Sequence, residues 1–138
     1  MHYRATSMEI FLNLSAITHI VNQVHQAWAT TFYPMDPVGM ASHYSEDAIL
    51  YGSAIALFSG RDGVQQYFET LPEGMYIGVK FVPEYMVSLT PEVISMAGSA
   101  SFLRQGHDPL EVRITQVFVM RTNKWLIASH HVSPKQVL

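Results

Sequence analysis

Apolar residues near the start of the chain recur with alternating spacings of four and three residues. This spacing places them on one face of an α-helix, as in helices that pack against a core. The positions that keep the spacing are Ile10, Leu14, Ile17, Val21, Val24 and Trp28. Ser7 is suited to cap the helix, and the charge of Glu9 suits its positive N-terminal end. The pattern predicts one long amphipathic helix from Met8 to about Thr31.

Two shorter helices and a strand are predicted before the middle of the chain. Pro37 marks a turn, and a short second helix is expected to run from there to about Tyr44. Residues 48–53 have the pattern of a strand, against which residues 54–59 are expected to pair back. A third helix should begin near Ser59, because four apolar residues that follow it share one helical face. These four are Val64, Tyr67, Phe68 and Leu71.

The remainder of the chain has the composition and alternation of β-strands. The predicted strands are residues 76–90, 92–104, 110–121 and 124–132. Pro83 is expected to break or bulge the first of them, since proline cannot donate a hydrogen bond to a neighbouring strand. Asn123 suits the left-handed conformation of a tight turn before the last strand. Helices followed by a run of antiparallel strands predict an α+β fold, with the helices packed on one face of the sheet.

Composition narrows the class of protein. A single domain is expected over residues 1–138, with residues 1–7 as a loose tail and Met8 as an alternative start. Hydrophobic residues make up 49% of the chain and charged residues only 14%, so the apolar excess must lie in a core, a subunit interface or a ligand cavity. The net charge of −3, with no basic run, argues against nucleic-acid binding. The absence of cysteine excludes disulfides, thiolate metal sites and a cysteine nucleophile.

The apolar N-terminal segment does not have the pattern of a signal peptide. Glu9, Asn13 and His19 interrupt it, and no convincing small-residue cleavage site follows. No apolar stretch approaches the ~18 residues of a spanning helix. The expectation is therefore a cytoplasmic protein without a membrane partner.

The last strands carry a more specific pattern, "VRITQVFVMRTNKWLIASHHVSP". An arginine and a threonine two residues apart precede an apolar strand, a turn, a tryptophan and an alternating tail that ends in His-x-Ser. Arg113, Thr115, Trp125, His131 and Ser133 occupy these positions. With these residues in this order, the segment resembles the SnoaL-like branch of the nuclear transport factor 2-like superfamily. The stretches "HYSEDAILYGS" and "FSGRDGVQQYF" are similar to weaker motifs of the same family.

The resemblance implies a fold and a range of activities rather than one reaction. It implies a cone, in which a strongly curved antiparallel sheet wraps around one long and two short helices with an apolar cavity between them. Family members include polyketide cyclases, steroid isomerases, dehydratases and association modules, and they commonly dimerise through the outer face of the sheet. A homodimer that needs no cofactor is therefore expected. Ser129 stands where members often have a second histidine, so chemistry that depends on a His-x-His pair is not expected.

Two adjacent histidines near the end of the chain are candidates for catalysis. Side chains alternate along a strand, so His130 and His131 should point to opposite faces, and no shared metal site is predicted. His131 has the parity of Trp125 and Ile127 and occupies the family position, which makes it the candidate for proton transfer. The alternative is a histidine that only orders the end of the strand through a hydrogen bond.

Arg113 and Asp36 are the other candidates for a catalytic site. Arg113 would bind a substrate carboxylate or stabilise an enolate-like oxygen; the alternative is an ion pair with Glu111 on the same face. Asp36 lies near the cavity mouth implied by the turn after the first helix and is the candidate base. His43 and Asp47 have a spacing that would suit a metal on a continued helix, although such pairs are usually solvated.

Aromatic residues are candidates to line a cavity for a small apolar or aromatic molecule. The candidates are Trp28, Tyr33, Tyr51, Tyr67, Phe68 and Tyr85. The alternative is that these residues form an ordinary core. No phosphate-binding loop, Ser-His-Asp arrangement or zinc motif accompanies them.

Two functional hypotheses remain open. In the first, the protein holds a small molecule and performs isomerase, cyclase or dehydratase chemistry, with His131 or Asp36 moving a proton and Arg113 or a tyrosine stabilising the oxyanion. In the second, it is a non-catalytic ligand-binding or association module. Convergence of an acid–base group and an oxyanion donor on one cavity would favour the first hypothesis.

Overall fold

Three helices precede the main run of strands. The structure, a computed structural model, describes residues 11–135. The helices are α1 (Leu14–Phe32), α2 (Pro37–Ala41) and α3 (Gly60–Glu69). The strands are β1 (Tyr44–Tyr51), β2 (Phe58–Ser59), β3 (Tyr76–Thr90), β4 (Val93–Arg104), β5 (His107–Arg121) and β6 (Lys124–Pro134).

The strands form one curved, unclosed sheet in the order β2-β1-β6-β5-β4-β3. Helix α1 packs against β3, and α3 packs against β1. The predicted α+β fold, with one long and two short helices against a curved sheet, is confirmed. The prediction of a wholly antiparallel sheet is wrong at one junction, where β1 pairs with β6 in parallel. The meander β3 to β6 leaves one edge of β6 free, and the much earlier strand β1 occupies that edge.

Helix α1 begins at Leu14, later than predicted. Asn13 caps it by accepting a hydrogen bond from the backbone N–H three residues later, at 2.8 Å. The backbone before Asn13 is not helical from residue 11 onward, so a continuous helix from Met8 is wrong. The predicted cap Ser7 and the acidic Glu9 lie outside the described residues.

The buried face of α1 follows the predicted spacing except at its start. Its buried residues are Ile17, Val21, Val24, His25, Trp28 and Phe32. Leu14, in the first turn, is 65% exposed and lies outside the core. Burial of this stripe holds the helix on the inner face of the sheet, since helices draw most of their stability from such packing.

The second helix is shorter than predicted, and β1 begins earlier. Helix α2 ends at Ala41, and Tyr44 is the first residue of β1 rather than the last of a helix. Tyr44 is completely buried, so the inner face of the sheet includes a side chain that the sequence pattern placed at the end of a helix. The strand predicted at residues 54–59 is reduced to the two residues of β2, which pair with Ile49 and Leu50 of β1.

The four long strands lie close to their predicted bounds. Strand β5 begins at His107, earlier than predicted, because Gly106 closes a tight turn with a φ of 76°. Thr122 and Asn123 have φ values of 53° and 62° in the last turn, as a two-residue hairpin loop of type I′ requires. Pro83 lies at a register shift between β3 and β4, which confirms the predicted bulge.

A bulge in β6 changes which side chains face the core. Consecutive residues of β5 pair with Ile127 and Ser129, so Ala128 is an extra residue in the strand. As a result His130 and Ile127 are both buried, with 4% and 0% exposure. The predicted shared parity of His131 and Ile127 is therefore wrong, and His130 is the histidine that faces inward.

Candidate functional site

A cavity of about 210 Å³ lies between the inner face of the sheet and helices α1 and α3. Its walls are mainly apolar, and six aromatic side chains contribute to them. These are Trp28, Phe32, Tyr67, Phe68, Tyr76 and Phe102. Their rings hold one another in place: Trp28 stacks on Phe32 at 4.7 Å and meets Phe68 edge-on at 6.0 Å between ring centroids. The cavity is therefore a shaped, pre-formed apolar space.

Polar groups lie at the rim of the cavity, next to the end of β1. The Tyr67 hydroxyl oxygen accepts a hydrogen bond from the Ser53 backbone N–H at 2.9 Å and lies 3.1 Å from the Ser53 hydroxyl. A Cβ at Gly52 would come within 2.3 Å of Tyr67, so only glycine lets this ring cross the end of the strand. Tyr76, half-buried, adds a second hydroxyl-bearing ring at the rim.

A buried hydrogen-bonded chain links the cavity wall to the sheet. Trp28 Nε1 donates to the Tyr44 hydroxyl oxygen at 3.0 Å, and that hydroxyl lies 2.8 Å from His130 Nδ1. Because an indole N–H can only donate, the Tyr44 O–H is free to donate to Nδ1, which leaves the imidazole proton on Nε2. Nε2 is buried and has no partner within residues 11–135.

Burial makes His130 a neutral group. Removal from water, the largest cause, together with the charges of His25 and His131, lowers the pKa of His130 to about 3. Burial likewise raises the pKa of Tyr44 far above its ordinary value. The chain of Trp28, Tyr44 and His130 is therefore uncharged at neutral pH, as a hydrogen-bonded group beside an apolar cavity should be.

A second buried histidine lies next to this chain. His25 Nε2 donates to the side-chain oxygen of Gln116 at 2.7 Å, and the His25 ring stacks on Phe81 at 4.0 Å. Burial lowers the pKa of His25, and the bond to Gln116 offsets this only in part. Gln116 is the cross-strand neighbour of His130, so the two polar clusters share the inner face of β5 and β6.

The predicted catalytic residues His131 and Arg113 lie on the other side of the sheet. Both are exposed and line a groove on its outer face, away from the cavity. The expected ion pair of Arg113 with Glu111 is absent from the described part of the chain; Glu111 instead accepts a hydrogen bond from Ser101 Oγ at 2.9 Å. Strand alternation explains the placement, because Arg113 is next to the inward-facing Val112 and Ile114.

Asp36 also lies away from the cavity. It is exposed at the N-cap position of α2, without a side-chain capping bond. His43 and Asp47 are engaged separately: His43 Nε2 lies 2.8 Å from Thr31 Oγ1, and Asp47 accepts a hydrogen bond from Arg121 at 2.7 Å. Among residues 11–135, no three His, Asp or Glu side chains are grouped to hold a metal ion.

The aromatic candidates divide into two groups. Trp28, Tyr67 and Phe68 line the cavity. The expectation for Tyr33, Tyr51 and Tyr85 needs correction, because their side chains are 62%, 45% and 66% exposed and do not line it. The other ring-bearing residues of the cavity, which are Phe32, Tyr76, Phe102 and His130, were not predicted from the sequence. Phe32 continues the helical spacing that includes Trp28, so its position on the buried face could be predicted. The strand residues could not be assigned to the inner face in the same way, because both faces of the strands carry apolar residues.

Comparisons with known proteins agree with this fold. A family model described as a SnoaL-like domain matches residues 21–136. No functionally curated protein matches the chain. Among the described residues, no helix is long and apolar enough to cross a membrane.

Solved structures show the same fold at low sequence identity. A putative calcium/calmodulin-dependent protein kinase II association domain from Xanthomonas campestris is 24% identical, with a TM-score of 0.70 over 100% of this chain and 99% of that one. A ketosteroid isomerase-like protein from Erwinia carotovora atroseptica is 13% identical, with a TM-score of 0.71 over 86% and 96%. An NTF-2-like protein of unknown function from Shewanella oneidensis is 18% identical, with a TM-score of 0.70 over 84% and 98%. These likenesses extend to the fold alone.

Proposed function

Since the chain belongs to the family of SnoaL-like domains, we propose that it binds a small, largely apolar molecule in the cavity between its helices and its sheet. The observation that carries the proposal is the pre-formed cavity, walled by aromatic rings and bordered by hydroxyl groups at one end. Such a site combines apolar contact area with a few polar groups that orient a ligand.

The size of the cavity limits the ligand. An apolar cavity of about 150 Å³ accepts benzene, and the cavity here is about 210 Å³. A single ring with one or two substituents therefore fits. The rim beside Ser53 and Tyr67 favours a ligand whose polar substituent points outward while its ring lies against Trp28 and Phe68.

The arrangement supports binding over proton transfer. None of the three residues expected to carry out catalysis, His131, Arg113 and Asp36, lines the cavity. His130 does line it, but its Nδ1 is hydrogen-bonded, its Nε2 is sealed from solvent, and a pKa of about 3 makes it a weak base. We therefore favour non-catalytic binding.

Filling the cavity is expected to abolish binding. Val132 lines the cavity from β6, and Val132→Phe places a ring in the space reserved for the ligand. Calorimetric titration with toluene and p-cresol should give saturable binding to the native protein and at least tenfold weaker binding to the variant. Val82→Phe is the matched control, because Val82 is 44% exposed on β3 and lies outside the cavity. Equal binding by Val132→Phe, or no binding by the native protein, would contradict the proposal.

A further inference from the structure

An arginine lies next to the rim of the interior cavity, at the end of the sheet where β3 begins and β4 ends. Tyr76, the first residue of β3, and Phe102 of β4 line the cavity. Arg104, the last residue of β4, is the direct cross-strand partner of Tyr76. Residues directly opposite each other on two antiparallel strands share one face of the sheet. Arg104 is therefore on the cavity side of the sheet, beside the rim.

Two hydrogen bonds to the backbone fix the guanidinium of Arg104. Its Nε and Nη2 donate to the Asp108 backbone oxygen at 3.0 and 2.7 Å. These bonds use two of the five N–H groups of the side chain, and neither N–H group of Nη1 takes part in them. The ion pairs among residues 11–135 do not involve Arg104. Its positive charge is therefore held in place without a carboxylate from this part of the chain.

Hydroxyl groups at the rim supply further donors. The Ser53 and Tyr67 hydroxyls lie 3.1 Å apart and share one of their two protons, so the other proton is left for a neighbouring acceptor. Tyr76, half-buried, brings a third hydroxyl. Burial, the largest cause, raises the pKa of Tyr76; Tyr67 raises it further, and the charge of Arg104 lowers it. The Tyr76 hydroxyl is therefore within electrostatic range of both Tyr67 and Arg104.

The rim and the walls of the cavity differ in chemistry. The walls are apolar and aromatic, whereas the rim has hydroxyl donors and one positive charge beside it. An ionised carboxylate complements such a rim, since it only accepts hydrogen bonds and carries a negative charge.

We propose that the ligand of the cavity is an aromatic carboxylate. Its ring lies against Trp28 and Phe68, and its carboxylate lies at the rim between Arg104 and the hydroxyl groups. The cavity of about 210 Å³ accommodates a single ring that carries this group. The inference rests on the proposed binding function and adds the chemical class of the ligand.

Three ligands that share one ring test the proposal. Toluene, p-cresol and p-methylbenzoate carry hydrogen, hydroxyl and carboxylate at the same position. In calorimetric titrations of the full chain at neutral pH and low ionic strength, p-methylbenzoate should bind about tenfold more tightly than p-cresol. Added sodium chloride should weaken the binding of p-methylbenzoate and not that of toluene, because salt screens only the charged pair. Val132→Phe should weaken the binding of all three, since they share one cavity.

Arg104→Gln is expected to weaken p-methylbenzoate binding about tenfold, the effect of losing a charge-assisted hydrogen bond, and to leave toluene binding unchanged. Arg121→Gln is the matched control, because it removes the same charge from an arginine that pairs with Asp47 outside the cavity. Should Arg104→Gln fail to fold, Tyr76→Phe takes its place. Removal of this rim hydroxyl should weaken p-methylbenzoate binding about fivefold.

The failure of this proposal is distinguishable from that of the proposed function. If toluene and p-cresol bind but p-methylbenzoate binds no more tightly, or if Arg104→Gln behaves like Arg121→Gln, the ligand is not a carboxylate while binding in the cavity stands. Binding of p-methylbenzoate that Val132→Phe leaves intact would place the acid outside the cavity and also overturn the proposal. If the native protein binds none of the three ligands, both proposals fail.

Discussion

Replacing Tyr44 by phenylalanine is expected to lower the free energy of unfolding by about 2–4 kcal/mol. The hydroxyl of Tyr44 is completely buried and links Trp28 Nε1 to His130 Nδ1. Its removal leaves an indole donor and an imidazole acceptor without partners in an apolar core. Each orphaned buried group costs about 1–3 kcal/mol, because water cannot reach it to replace the lost bond.

Urea denaturation of the native protein and two variants measures this effect. Tyr51→Phe removes the same hydroxyl from a tyrosine of the same strand that is 45% exposed, so its free energy of unfolding should stay within about 0.5 kcal/mol of the native value. If Tyr44→Phe were as stable as Tyr51→Phe, the buried hydrogen-bonded chain would not be a stabilising feature of the core.

Acid is expected to destabilise the protein through His130. The pKa of His130 is lowered from 6.5 to about 3 in the folded protein, so between these values the unfolded chain binds a proton that the folded chain excludes. The contribution of neutral His130 to the free energy of unfolding is therefore complete above pH 6.5 and is lost as the pH falls toward 3. The free energy of unfolding should fall by roughly 1 kcal/mol per pH unit from this group. The lowered pKa of His25 acts in the same direction.

A variant without the buried imidazole tests this assignment. His130→Gln removes the buried group whose pKa is lowered. Denaturation at several pH values between neutral and acid should show a shallower pH dependence for His130→Gln than for the native protein, with part of the remaining slope due to His25. Tyr51→Phe, which removes no imidazole, should keep the native slope. An unchanged slope in His130→Gln would show that His130 is not the source of the acid sensitivity.

Local signals in the sequence were sufficient to predict most of the fold. The long strands were predictable because the alternation of apolar and polar residues and the turn residues are signals that span only a few positions. Asn123 in the last turn and Pro83 at the bulge are examples. The parallel pairing of β1 with β6 joins segments far apart in the chain, and no local pattern encodes such a pairing. The start of α1 was misplaced because the apolar spacing extends from Leu14 back to Ile10, although the helix begins only after its cap, Asn13.

The candidate site was harder to predict than the fold, since it depends on single residues. One extra residue, Ala128, turns Ile127 to the same face as His130, and parity read directly from the sequence misses it. Arg113 and His131 were expected to share a site, and the structure does bring them together, but in the outer groove. The family resemblance put both residues in one candidate site, while the face of the sheet that they occupy depended on the packing of the whole sheet.

The most direct measurement is a crystal structure of the protein soaked with p-bromophenol, whose bromine is located by anomalous scattering. Ligand binding in the interior cavity predicts a bromine peak among Trp28, Phe68 and Phe102, with the phenol oxygen toward Ser53 and Tyr67 at the rim. A cavity without bromine, in crystals where the molecule is bound elsewhere on the surface, would contradict the proposed function.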